Sequence, residues 1–348
     1  MAEAGKGDGE DTRASARPTI VDVAQRAGVS KSLVSLVLRG SSKVSPERRE
    51  AVLAAAAELG YLPNRVARSL VLQRTHLIGL VISDLHNPFF AEVCDAIQSL
   101  AESQGYRAVV GSSGLDSSRE ADLAHTFLEL RADGVILIGS VLQRGDLMRV
   151  ARAAPTVVVS RHDPCEAGID MVTGDDALGL ALAVEHLVSL GHRRIAHVTG
   201  GEGAGAPERR AGYEQAMRER GLQGAVQVVE GEFTEKGGYE AARELLGAAA
   251  RPTAIIAAND LEAVGVLQAI EEAGRRVPDD ISLVGYDNTY LAGLRRFSLT
   301  SVDQPRAELG HLAVQTLIAR IGNPGAAASR NVITPRLVIR GSTGAAHD

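Results

Sequence analysis

Between Thr19 and Tyr61 the apolar positions return every three or four residues, the spacing of amphipathic helices. Ile20, Val23, Ala24 and Ala27 line one face and stop at Gly28, which tolerates the positive φ of a tight turn. Ser30 is a candidate N-cap for a second helix that sends Leu33, Val34, Val37 and Leu38 inward, while Lys31, Ser32, Ser35 and Leu36 stay near or on its outer side. A third helix opens with Ser45 as N-cap and Pro46 at its first position, and is expected to bury Val52, Leu53, Ala56 and Leu59. The pattern predicts three helices around one small core, the first two forming a helix-turn-helix.

From Leu77 the period changes. Compact apolar runs at 76–82, 107–110, 134–138 and 156–159 alternate with helix-like stretches at 90–104, 118–130 and 145–153. A second series of runs, at 195–199, 225–230, 254–257 and 281–286, alternates with helical patterns at 176–190, 207–220, 236–248 and 261–273. Alternation of this kind predicts a doubly wound parallel sheet, and two series predict two such lobes. Ligands of these sheets bind beyond the carboxyl ends of the strands, so two lobes with facing ends would share one cleft.

The 348 residues exceed one typical domain, and a hydrophobic content of 45% suffices for several cores. No run approaches 18 uninterrupted apolar residues, and residues 1–16 read as a disordered leader without a secretory core, so a cytoplasmic protein away from membranes is expected. Cys94 and Cys165 lie far apart with no CxxC, which suggests buried free thiols and no disulfide or zinc framework. Charge changes the picture most. Residues 17–76 hold ten Lys/Arg and four acids, and residues 1–16 two basic and four acidic groups; with a total of −6, the rest of the chain carries −10. A cationic head on an acidic body fits a polyanion-binding end attached to a body with another task, and favours a DNA-binding unit over a plain three-helix bundle.

Thr19-Ile20-x-Asp22-Val23-Ala24, Ala27-Gly28-Val29-Ser30, Val34-Ser35, Val44-Ser45 and Leu59-Gly60-Tyr61-x-Pro63-Asn64-Arg65-x-Ala67 resemble the lactose/galactose repressor (LacI/GalR) family of bacterial transcription regulators, and the likeness extends to about Gly341. The resemblance implies an all-α helix-turn-helix domain at 17–62, a hinge helix and linker at 63–75, and an α/β periplasmic-binding-protein-like core at 76–342 made of two doubly wound parallel-sheet lobes, followed by a tail at 343–348. The chain is then expected to cross between lobes near 173, 303 and 332, giving lobe 1 as 76–173 and 304–332 and lobe 2 as 174–303 and 333–342. Lys31 and Ser32 take the main base-contact positions, with Thr19, Ser30, Ser35, Leu36, Arg39, Lys43 and Ser45 completing the head's DNA surface. Leu33 and Leu36 replace the Thr and Arg of many relatives; a leucine can touch a thymine methyl but cannot bond a guanine edge, so a different operator is expected.

An isolated helix over 64–70 would be marginal in water because nucleation is costly. A plain linker is the lesser alternative. The resemblance makes it the hinge helix, formed where two subunits meet in the minor groove, with Asn64, Arg65, Ala67 and Arg68 on the DNA and Leu70 as the wedge that kinks the duplex.

The candidate effector residues each follow a strand. In His86-Asn87-Pro88-Phe89-Phe90 one phenylalanine is expected to pack under the loop and the other to face ligand; both match family effector positions. Arg209 matches the arginine that holds sugar hydroxyls or a carboxylate, a task suited to its planar fork. Asn259, Asp260 and Asp287 match polar cleft residues, and Phe233 a position where some members stack a ring on the ligand. Ser160 and Arg161 stand where many members carry Asp, which alters the polarity offered to the ligand. The Gly200–Gly205 loop lacks the side chains that purine-binding members place before the arginine, which disfavours a purine.

A nucleotide-dependent α/β enzyme is the rival class, but GGEGAG at 200–205 has neither GxGxxG spacing at a first strand nor a GK[ST] ending, and no GxSxG or HExxH is present. Asp175-Asp176 is expected to be a solvated turn or helix start. A periplasmic sugar-binding protein would need an export signal and have no use for a basic head. Neither an enzyme, a cofactor nor a metal site is expected. The expected protein is a homodimeric regulator, most simply a repressor, on double-stranded operator DNA, with a sugar or similar polar metabolite as effector. The absence of a leucine heptad after Arg340 favours dimer over tetramer.

Overall fold

The computed structural model describes residues 18–38, 41–61, 74–162 and 168–347. The leader, Arg39, the hinge residues Asn64, Arg65, Ala67, Arg68 and Leu70, and Cys165 lie outside the described residues. The chain divides into two compact units, Met1–Thr75 and His76–Asp348.

In the first unit α1 (Ile20–Arg26), α2 (Lys31–Leu38) and α3 (Pro46–Glu58) surround a core of Val23, Val34, Val37, Val44, Val52, Ala55 and Ala56. Thr19 and Asp22 form a capping box at the start of α1, and the Ser30 hydroxyl accepts the Leu33 backbone N–H at 3.2 Å at the start of α2. Leu53 departs from expectation: it is 50% exposed, and Ala55 is buried instead. Position 53 lies about 100° around the helix from Val52, whereas 55 and 56 return to the Val52 face.

The second unit holds two sheets. In chain order its elements are β1 (Leu77–Ile82), α4 (Pro88–Ser103), β2 (Arg107–Ser112), α5 (Ser117–Glu129), β3 (Gly134–Ile138), α6 (Arg144–Ala153), β4 (Thr156–Val159) and β5 (Ile169–Gly174). There follow α7 (Asp176–Ser189), β6 (Ile195–Val198), α8 (Ala206–Glu219), β7 (Gln227–Val229), α9 (Glu235–Gly247), β8 (Ala254–Ala257), α10 (Asp260–Glu272), β9 (Ser282–Asp287) and β10 (Thr300–Asp303). The last elements are α11 (Arg306–Gly322), β11 (Arg330–Ile333) and β12 (Arg336–Val338).

Lobe 1 has the strand order β11-β5-β4-β3-β1-β2 with every pairing parallel; lobe 2 has β12-β10-β9-β8-β6-β7, parallel except for β10 with β12. The chain therefore passes between lobes after β5, after β10 and after β11. Alternate residues of each strand serve opposite layers, as the pleat requires. Ile78, Leu80, Ile82, Ile136 and Ile138 pack on one face with Val93 and Ile97 of α4 and Leu309, Val314 and Leu317 of α11. Val81, Val135, Leu137 and Val158 pack on the other with Phe127 of α5 and Leu147 and Val150 of α6. Lobe 2 repeats the scheme, with Val198, Ile255 and Leu283 against α9 and α10 and Ile195, Ile256, Val284 and Tyr286 against α7 and α8.

Residues beyond Gly341 are fastened to lobe 2. Leu283 and Ser342 bond through their backbones at 2.8 Å, buried His192 faces the Gly344 carbonyl at 3.1 Å, and Ala346 donates to the Leu190 carbonyl. Cys94 is buried in lobe 1, where burial pushes its thiol up to about 11.

Candidate functional site

The carboxyl ends of β1, β3 and β4 in lobe 1 face those of β6, β8 and β9 in lobe 2 across a small cavity of about 50 Å³. Seven expected residues line it: Phe89, Phe90, Ser160, Arg209, Phe233, Asn259 and Asp287, joined by Ser83, Asp84 and Asn87. Leu115, Gly203, Ala204 and Phe233 also border an outer space of about 860 Å³, where Arg161 lies. Asp260 lines neither. Its carboxylate accepts the Thr289 N–H at 2.6 Å and the Thr289 and Ser301 hydroxyls at 2.9 and 2.6 Å, so it ties down the turn after β9. Arg161 donates to the Leu142 carbonyl at 2.7 Å, bracing the loop after β3.

Asn87 caps α4 through the Phe89 N–H at 3.0 Å and so fixes both phenylalanines. Phe89 is buried in the lobe 1 core, while Phe90 meets it edge-on at 5.4 Å and is only half-buried. Ser160 has a left-handed backbone, φ +57°, and its hydroxyl has no hydrogen-bond partner among the described residues. Asn259 caps α10 through the Glu262 N–H and donates to the Phe233 carbonyl at 3.2 Å, so both ends of its amide serve the protein. The glycines of the 200–205 loop have a packing reason: a Cβ on Gly200 would lie 2.2 Å from the Phe233 ring and one on Gly203 2.5 Å from it. That close approach accounts for the motif without a phosphate.

Arg209 is the centre of the cleft's electrostatics. Its Nε donates to Asp176 at 3.1 Å, Nη1 bonds the Ala258 carbonyl, Nη2 lies 3.7 Å from Asp287, and the guanidinium stacks 3.9 Å from the Tyr286 ring centroid. Burial opposes its charge, but Asp176 and Asp287 outweigh it and hold the arginine ionised. Asp176 also receives the Tyr286 hydroxyl at 2.7 Å and faces His162 Nε2 at 2.7 Å. Burial works against that carboxylate too, yet Arg209 and these hydrogen bonds keep it below the usual range. Asp175 does start α7 as expected, but Asp176 is buried and not solvated. At Asp287 burial wins over Arg209 and pushes the carboxyl up to about 6; at Asp260 burial and the neighbouring Asp287 charge push it to about 7. Two consecutive residues, Asp287 at φ +97° and Asn288 at +51°, sit in the left-handed region, a strain of roughly 1–3 kcal/mol each that only an over-determined setting sustains.

In the head, Lys31, Ser32 and Lys43 are exposed, and Ser35 and Leu36 are half-buried, Leu36 against the core. Thr19 and Ser30 spend their hydroxyls on caps, and Ser45 is the N-cap residue of α3 without a side-chain cap bond.

Compared with known proteins, the chain is 37% identical over 327 residues to the ribose operon repressor of Haemophilus influenzae, covering 93% of this chain and 98% of that one. Residues 19–64 match the bacterial regulatory proteins of the lacI family, and residues 184–343 match the periplasmic binding protein-like domain. The chain belongs to the LacI family. This LacI family member is a ligand-responsive DNA-binding regulator of transcription. It superposes on a lac repressor dimer bound to operator and the anti-inducer ONPF with a TM-score of 0.85, at 33% identity over 95% of this chain and all of that one. A LacI family regulator from Enterococcus faecium with bound ribose matches with a TM-score of 0.70 and 28% identity over 77% of this chain and 98% of that one.

Several members of this LacI family site are not legible from its motifs. Ser83 and Asp84 directly follow β1, and the strand-end rule that finds Phe89 would find them too. Asp176, His162 and Tyr286 are different, because what marks them is Arg209, 33, 47 and 77 positions away in the chain, respectively.

Proposed function

We propose that this chain represses transcription as a homodimer on a pseudo-palindromic operator, with a sugar in the interlobe cleft controlling operator affinity. Each head would present Lys31 to Leu36 to the major groove, and paired hinge helices would place two Leu70 residues at the operator centre. The observation that carries the sugar is the cavity wall: the carboxylates of Asp84 and Asp287 and the Arg209 fork stand beside Phe90 and Phe233, acceptors and donors next to apolar ring faces, as a polyhydroxylated ring needs. The ribose-bound relative and the ribose operon repressors support a pentose as the first candidate. A coupling of about 1–3 kcal/mol between cleft and head would change operator affinity roughly 5- to 150-fold.

The test is a thermal-shift screen of the purified chain against D-ribose and other sugars. A ligand at about 100 times its dissociation constant adds roughly 2.7 kcal/mol of stability. A sugar that raises the melting temperature and also changes retention of operator DNA supports the reading; no shift with any sugar defeats it.

A further inference from the structure

Two lobe 1 side chains grip the turn that leaves β9 in lobe 2. The Glu92 carboxylate, on α4, accepts the Tyr290 backbone N–H at 3.1 Å and the Arg306 Nε–H at 2.6 Å. Arg306 opens α11, just past the second crossing, and its Nη1 donates to the Asp287 carbonyl and to Asp303 at 3.1 Å. The turn held in this way contains the strained pair Asp287 and Asn288. Lobe 2 itself secures its other side: the Ser301 hydroxyl accepts the Asn288 N–H at 3.0 Å, and Arg340, just past β12, donates to the Asn288 side chain at 2.6 Å. Neither Glu92 nor Arg306 lines either cleft cavity, so any effect on ligand passes through the turn.

We propose that Glu92 and Arg306 are positioning residues, a clamp from lobe 1 that holds Asp287 in its cleft-facing geometry and ties the angle between the lobes to it. The proposal rests on the reading above in taking Asp287 as a ligand contact. A ligand that pulls on the Asp287 carboxylate then moves the backbone to which lobe 1 is fastened, and the two lobes shift together.

The test uses the full chain with Glu92→Ala, Glu92→Gln and, as control, Ile97→Val, which weakens the core side of the same helix without touching the clamp. Without ligand, Glu92→Ala should speed amide exchange in peptides spanning 287–298 by about tenfold or more while leaving β3 unchanged. Glu92→Gln, which keeps an acceptor for Tyr290 but loses the ion pair, should fall between. Spin labels on Ser118→Cys in α5 and Glu244→Cys in α9, in a Cys165→Ser background, should show a broader interlobe distance distribution in Glu92→Ala and no change in Ile97→Val. With D-ribose as probe, calorimetry should show roughly tenfold weaker binding in Glu92→Ala. Unchanged exchange and distances in Glu92→Ala, or equal changes in Ile97→Val, overturn the clamp. A parent chain that binds no sugar overturns the sugar reading instead, and the ligand-free measurements still decide the clamp.

Discussion

The Arg209 guanidinium lies buried between the Asp176 and Asp287 carboxylates, so removing it leaves two negative groups in a dry site without their counter-charge. Arg209→Ala should therefore lose sugar binding and also lower unfolding stability by about 3–5 kcal/mol in urea denaturation. Arg209→Lys keeps the charge but gives up the fork and the stacking on Tyr286, and should retain most of the stability while still weakening the ligand. Asp260 makes a second prediction. Its carboxyl is raised from 3.8 to about 7 in the folded chain, so its contribution is fully present below the unfolded value and is lost as pH rises through about 7. Asp260→Asn can still serve Thr289 and Ser301, and should flatten the fall in melting temperature between about pH 4 and 7; an unaltered pH profile would show that Asp260 is ionised throughout.

At the scale of single elements, α1 depends on its cap. Thr19→Ala should cost the head about 1 kcal/mol, read as faster amide exchange over residues 20–38. Gly200→Ala would drive a methyl into the Phe233 ring and should destabilise lobe 2 by about 1–3 kcal/mol while displacing that ring from the cavity, which fluorescence cannot see in a chain without Trp but a crystal structure can. The strands legible in the sequence are those that carry a compact apolar run, whether buried throughout, as β3 and β8 are, or left part-exposed at a sheet edge, as β2 and β7 are. β5 and β10 are equally buried but contain Asp170, Thr173, Thr300, Ser301 and Asp303, polar groups that break the apolar run, some of them held by distant partners, as in the Asp170 ion pair with Arg320. β11 and β12 are edge strands of four and three residues, too short to show a pattern. The helix α11 falls outside the two alternating series, although Leu309, Ala313, Val314 and Leu317 give it a plain helical stripe. In the cleft, single residues at strand ends are legible. The Arg209 network is not, because charge pairing across 33 and 78 positions leaves no local pattern.

For the molecule as a whole, the opposed charge of head and body separates two kinds of affinity. Lys43→Gln with Arg74→Gln should weaken binding to every duplex alike and reduce the salt dependence by about one unit of log–log slope for each phosphate no longer neutralised. An unchanged slope in a filter-binding titration would place both residues off the DNA. The threefold passage between lobes has another outcome, felt while the chain is being made. β1 to β5 emerge from the ribosome early, yet α11, which shares one face of their sheet with α4, and the strand that finishes its edge are residues 306–333. A nascent chain that has reached residue 300 thus leaves the β3–β5 part of that face, with Ile136, Val157 and Val172, without its covering helix, and β9 still awaits β10. Both halves should therefore mature together, only once residues 300–338 have been made.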